Sequence, residues 1–197
     1  APSAPLADLA GLVADGRRFA FVGKPCDAVA LRTLAVSDPE VARTFPVILS
    51  FFCAGVPSLA GSDAVLAALG TDRAGTARFR YRGQGWPGQA TAELKVGGEQ
   101  SMSYHDSWGK ILSRHVQHRC KICADGTGVA ADIVCADAWE SDDKGYPLFE
   151  EGDGVSLFVA RTELGARLVA EAEAAGAERA GPLDVGGRGR TEPVAGG

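Results

Sequence analysis

The sequence has no apolar run near the roughly 20 residues a helix needs to cross a bilayer, so no membrane span is expected. It has no dense Lys/Arg cluster, and its net charge is −5, which speaks against nucleic acid as the main partner. The charged-then-apolar opening of a signal peptide is missing, and the chain begins Ala-Pro-Ser without Met. No internal repeat is visible. Cysteine is sparse and irregular: five residues, an odd number, spread over more than a hundred positions, unlike the framework of a small disulfide-stapled scaffold. Together these absences predict a cytoplasmic protein with reduced thiols available for metal or redox chemistry. At 197 residues the chain is long enough to bury one sizeable core. One domain over 1–185 and a disordered, Gly- and Arg-rich tail over 186–197 are expected.

Apolar patterning predicts an α/β fold: a mixed, largely parallel sheet flanked by helices. Residues 5–18 carry Leu6, Leu9, Leu12 and Val13 at helical spacing, closed by Gly16. Residues 19–22 and 47–52 read as buried strands. Residues 26–34 read as a helix with Val29, Ala30 and Leu34 inward, and 61–69 as a second helix capped by Ser62 or Asp63. From Arg78 the period changes to two, so a β-rich insert is expected around residues 77–105. An amphipathic helix over 107–116 is predicted to run into a cysteine pair. Two more strands at 131–136 and 155–160 and a final helix over 164–175 follow.

Four of the five cysteines are the candidate metal ligands. Cys26 and Cys53 each follow an apolar strand, and open α/β sheets gather ligands beyond the carboxyl ends of their strands. Pro25 sets Cys26 in the first helical turn, where free amides and the positive end of the helix dipole suit a thiolate. Cys120 and Cys123, two residues apart, can grip one centre from a single turn of chain. Four sulfur ligands suit zinc or an iron–sulfur cluster, and ligand type does not separate the two. A site without metal also stays open. Cys135, inside an apolar strand, reads as a buried inert thiol. His115 and His118, three apart on the predicted helix, are weaker ligand candidates, because four thiolates already fill a tetrahedral site.

Arg82-Gly83-Gln84-Gly85-Trp86-Pro87-Gly88 is the second dense motif. Its glycines let backbone approach a flat or charged group, a flavin or a pyrophosphate; a tight hairpin with a core Trp is the plain alternative. No helix follows it, so it is not a dinucleotide fingerprint. Asp132 and Asp137 flank the predicted strand at 131–136, with Trp139 just beyond; carboxylates at strand ends can hold a ribose hydroxyl or a metal, but solvated loop carboxylates are their ordinary reading.

Five blocks in order, around Gly23-Lys24-Pro25-Cys26-Asp27, Phe52-Cys53-Ala54-Gly55-Val56-Pro57, Gly85-Trp86-Pro87-Gly88, Cys120-Lys121-Ile122-Cys123 and Ala131-Asp132-Ile133-Val134-Cys135-Ala136-Asp137, resemble the coenzyme F420 hydrogenase/dehydrogenase beta-subunit family. That family includes formate dehydrogenase beta subunits and 7-hydroxymethyl chlorophyll a reductase, and the resemblance spans about residues 17–175. It implies the C-terminal portion of an iron–sulfur flavoprotein oxidoreductase. Electrons would pass between a redox partner subunit, or an upstream ferredoxin-like domain, and a small organic acceptor such as a deazaflavin coenzyme. Carried over by motif, Cys26, Cys53, Cys120 and Cys123 match the ligands of a 4Fe–4S cluster. Arg82, Gly83, Gly85, Trp86, Pro87, Gly88, Asp137 and Trp139 match the side that faces FAD. No side chain is expected to act as a catalytic nucleophile. A zinc-stapled binding module without redox activity is the rival from another class.

Overall fold

A computed structural model describes residues 4–177 apart from 84, 139–141, 145, 153 and 154. The tail predicted over 186–197 and Trp139 lie outside the described residues. Helix α1 (Leu9–Asp15) ends at Gly16, whose left-handed φ of 77° closes the helix by an amide bond to the Val13 carbonyl. Strand β1 (Ala20–Gly23) leads into α2 (Pro25–Ser37), α3 (Pro39–Thr44) and β2 (Val47–Phe51). Then come α4 (Leu59–Ala68), the strands β3 (Thr76–Arg80), β4 (Ala90–Leu94) and β5 (Glu99–Met102), and the short helix α5 (His118–Lys121). Strands β6 (Ile133–Ala138) and β7 (Val155–Ala160) and helix α6 (Glu163–Ala174) complete the order.

The main sheet runs β1-β2-β6-β7. Its first two pairings are parallel and the last is antiparallel, which is the predicted mixed, largely parallel sheet. Register sets Phe21 beside Ile48 and Gly23 beside Ser50, all on one buried face. Phe21, Ala28, Leu31, Val41, Phe45, Ile48, Ala131 and Val134 fill the core there. Full burial of a side chain such as Leu31 or Ile48 contributes about 1.5–3 kcal/mol. The expected β-rich insert is the antiparallel sheet β3-β4-β5. It closes a second core of Val65, Ala90 and Leu112, with Phe79, Tyr81, Trp108 and Ile111 packed against it.

Several sequence expectations are corrected. Helix α2 turns Ala28 and Leu31 inward, whereas Val29, Ala30 and Leu34 are exposed. Apolar residues surround that helix, so their spacing selects no single face. Helix α4 begins at Leu59 with Ser58 at its N-cap, ahead of the expected Ser62 or Asp63, and Ser62 instead bonds the Tyr81 hydroxyl at 2.7 Å. Residues 107–116 are not one α-helix. A π-turn (His105–Gly109) and a 3₁₀ turn (Leu112–His115) replace it, which keeps Trp108, Ile111 and Leu112 on the core. His115 and His118 therefore sit in separate turns and share no helix face. Cys135 is exposed rather than buried, because strand alternation gives the core position to Val134.

Candidate functional site

Three chain segments meet past the carboxyl ends of β1 and β2. The first is the start of α2, where Lys24 is the N-cap, Pro25 holds the first turn and Cys26 follows. Lys24 Nζ lies 2.5 Å from Asp27 Oδ2, and both side chains are mostly buried. The second is the loop after β2, and the third is the turn of α5. Backbone bonds zip the last two together. Pro57 and Val116 form an antiparallel bridge, the Ser58 amide donates to the His115 carbonyl at 2.9 Å, and the Gln117 amide donates to the Val56 carbonyl at 3.2 Å.

This zipper decides where the sulfurs stand. The Cys53 amide donates to the Gly126 carbonyl at 2.8 Å, tying Cys53 to the chain just after Cys123. Gly55, at a φ of 115°, lies against Cys120: a Cβ there would stand 2.7 Å from Val116 Cγ1 and 3.3 Å from Cys120 Cβ. Only glycine accommodates both the backbone angle and that approach. The Cys123 amide donates to the Cys120 carbonyl, and Cys123 Sγ donates to the Asp125 carbonyl at 3.2 Å. The Asp125 carboxylate accepts from the amides of Thr127, Gly128 and Val129, which fixes the loop. Burial opposes ionisation of Asp125, but those amide bonds outweigh it and hold the carboxyl below its ordinary range.

Cys26, Cys53, Cys120 and Cys123 consequently line one cavity of about 230 Å³, together with Lys24, Arg119 and Asp125. One water occupies about 30 Å³ of the liquid, so the space suits a group of several atoms. Among the described residues, no group of three or more His, Cys, Asp or Glu side chains is placed to hold a metal ion.

A second cavity, of about 520 Å³, shares Lys24, Cys53, Gly55 and Val56 with the first. Phe51, Phe52, Tyr81, Arg82, Tyr104 and Trp108 supply its aromatic and cationic walls. Its volume lies in the range of small-molecule sites. The Arg82 guanidinium joins the two segments expected to face a flavin: it donates to the Pro87 carbonyl at 2.7 Å and to Asp137 Oδ2 at 2.8 Å. It also lies 5.4 Å from the Tyr104 ring centroid. Burial pushes the Tyr104 phenol up, with Arg82 opposing and Asp137 adding to the rise, so the hydroxyl stays protonated at neutral pH.

The glycine loop around Trp86 folds on itself. A Cβ on Gly88, whose φ is 77°, would stand 2.9 Å from both the Gly83 amide nitrogen and the Gly85 carbonyl oxygen. Trp86 pairs with Gly152 through two backbone bonds, and the Gly88 amide faces Glu151 Oε2 at 3.4 Å. Of the predicted flavin-side residues described, only Arg82 lines the larger cavity; Pro87 and Asp137 reach it through their bonds to Arg82, and Gly83, Gly85, Trp86 and Gly88 do not line it.

Sequence reasoning missed Lys24, Tyr104 and Trp108 as cavity residues. Lys24 stood in plain view two residues before Cys26, while the two aromatics carried only a core pattern. Asp132 is no solvated loop carboxylate. It is buried, accepts from the Ile48 amide and the Thr162 hydroxyl, and forms an ion pair with Arg32, whose Nη2 lies 2.9 Å away.

The model of a family described as the C terminus of the coenzyme F420 hydrogenase/dehydrogenase beta subunit matches residues 16–185. The chain belongs to this family. The beta-subunit match thus takes in the four cysteines that line the smaller cavity and, Pro5 aside, the walls of both cavities. The F420-reducing [NiFe] hydrogenase complex from Methanosarcina barkeri contains a chain of similar fold, with a TM-score of 0.58 at 17% identity. The alignment covers 87% of this chain and 54% of that one, so this beta-subunit domain spans about half the length of that relative. No curated protein matches the chain. Among the described residues no helix is long and apolar enough to cross a membrane.

Proposed function

We propose that this chain is the electron-transfer domain of an oxidoreductase. Cys26, Cys53, Cys120 and Cys123 would hold a 4Fe–4S cluster, and the adjoining cavity would hold the ring system of FAD. The observation that carries the reading is the pair of cavities with a common wall: one lined by four thiols, the other by aromatic rings and Arg82. Four thiols spaced around room for several atoms suit a cluster that brings its own iron and sulfide better than one zinc ion. Family membership supports the oxidoreductase class.

When bound, the two groups supply single-electron exchange and two-electron, hydride-type chemistry, respectively. The chain's own work is binding, orientation and exclusion of water. The zipper between the β2 loop and α5 brings the segments that carry Cys53 and Cys120 to one cavity, and Lys24, ion-paired with Asp27, stands at the common wall. Arg82 orders the glycine loop and Asp137, and its guanidinium lies over the Tyr104 ring on the wall of the larger cavity. A redox partner protein and a small organic acceptor, of the deazaflavin kind, complete the proposal.

Metal and flavin analysis of anaerobically purified protein tests it. About four irons with acid-labile sulfide and bound or reconstitutable FAD are expected. One zinc per chain and no sulfide overturns the reading in favour of a structural module.

A further inference from the structure

The turn that carries Cys120 and Cys123 also presents an unusual surface. Residues 114–124 contain Arg114, His115, His118, Arg119 and Lys121 and no Asp or Glu, in a chain whose net charge is −5. Arg114, His118, Arg119 and Lys121 are exposed. Ile122, between the two cysteines, is 72% exposed, and Cys123 beside it is exposed as well. Arg32, Arg82 and Lys110 have ion-pair partners. Arg114, Arg119 and Lys121 have none among the described residues. The carboxylates nearest in sequence or on the cavity wall are already engaged, Asp125 by its loop amides and Asp27 by Lys24.

We infer that this surface is the docking face for an acidic electron-carrier protein, with Ile122 as its apolar centre and the cations around it as its rim. Clustered like charges repel one another, and a carboxylate-bearing partner relieves that repulsion while being steered onto the patch. An exposed aliphatic side chain within a charged rim is the anatomy of a transient interface. The inference rests on the proposed cluster, because the patch lies on the same stretch of chain as two of its four thiols. The step balances simply. One electron leaves the carrier's reduced centre and one enters the cluster, with no bond made and no proton moved.

The test is anaerobic stopped-flow mixing of the cluster-loaded chain with a reduced, acidic plant-type ferredoxin as the probe. At about 20 mM salt, where charges act over more than 10 Å, Arg114→Glu/Lys121→Glu should slow the second-order rate at least about tenfold. The difference should vanish near 1 M salt, where the screening length is about 3 Å. The neutral pair Arg114→Gln/Lys121→Gln should fall between wild type and the double reversal. Ile122→Ser should slow the reaction at every salt concentration. Iron content and the rate of reduction by dithionite should not change in any of these variants, which separates docking from cluster assembly. Ferredoxin rates within about twofold of wild type in the double reversal, at full iron content, would overturn the docking face and leave the proposed function standing. Binding of a single-stranded oligonucleotide through Arg114 and Lys121, with the ferredoxin rate unmoved, would also overturn it. A wild-type chain without iron would overturn the proposed function and this inference together.

Discussion

Asp132→Ala should be among the most destabilising substitutions that touch neither cavity. Strand β6 begins its register with β2 at Leu49 and Ile133, yet the ladder is continued one residue earlier by a side chain. The Asp132 amide donates to the Ile48 carbonyl at 2.7 Å, and the Asp132 carboxylate accepts from the Ile48 amide at 2.8 Å. The same carboxylate accepts from Thr162 Oγ1 at 2.8 Å, at the N-cap of α6, and lies 2.9 Å from Arg32 Nη2 on α2. Alanine leaves the Ile48 amide without a partner in a fully buried position, a loss of roughly 1–3 kcal/mol. The hydrogen bond that steadies the α6 cap loses about as much again, because its acceptor is charged. The ion pair adds less: Arg32 is about one-third exposed and keeps its bond to the Ala130 carbonyl. The total is about 3–5 kcal/mol, a large share of a native stability of about 5–15 kcal/mol. Urea unfolding should show a lower midpoint at an unchanged slope, and the melting temperature should drop by on the order of 10 °C. Asp132→Asn, which keeps an acceptor, should cost roughly half as much. A loss below about 1 kcal/mol for alanine would refute the idea that this carboxylate joins β2, β6, α2 and α6.

Gly55→Ala should cost about 1–3 kcal/mol through its backbone angle and should also lower iron per chain, because the added methyl group meets Val116 and crowds Cys120. Gly97→Ala, at a φ of 91° with open space around it, should cost comparable strain and leave iron content intact; equal iron in both variants would count against the zipper argument. Arg82→Ala should weaken FAD binding by about tenfold or more, read by quenching of flavin fluorescence, since it frees the Pro87 carbonyl, Asp137 and the Tyr104 ring at once. Lys110 and then Ser103 hold the Asp106 carboxyl below its ordinary range. Its small contribution is therefore present at neutral pH and lost as pH falls through the lowered value, so Asp106→Asn should flatten the acid limb of a plot of melting temperature against pH. An unchanged acid limb would exclude that contribution.

Much of the architecture was legible because the strands are short and apolar, and period-two alternation marked the insert at Phe79 and Tyr81. The placing of Cys26 and Cys53 beyond parallel strands followed from the same pattern. The failures have physical causes. Apolar residues ring α2, so periodicity named Val29 and Leu34 where packing chose Ala28 and Leu31. The 105–115 segment has helical spacing, but its turns tighten and loosen to seat Trp108 and Leu112. Local propensity does not encode that adjustment. Sheet alternation, invisible in a continuous apolar run, sent Cys135 outward. The larger cavity was the least legible feature. Phe51, Tyr81, Tyr104 and Trp108 come from distant stretches, and each alone reads as core.

The central claim, that four particular thiols serve one centre, is tested most directly by iron content and visible absorbance in five serine variants purified anaerobically. Cys26→Ser, Cys53→Ser, Cys120→Ser and Cys123→Ser should each lose most of the iron and the visible band, while Cys135→Ser retains both. Full absorbance in any of the first four, or its loss in the fifth, would contradict the account.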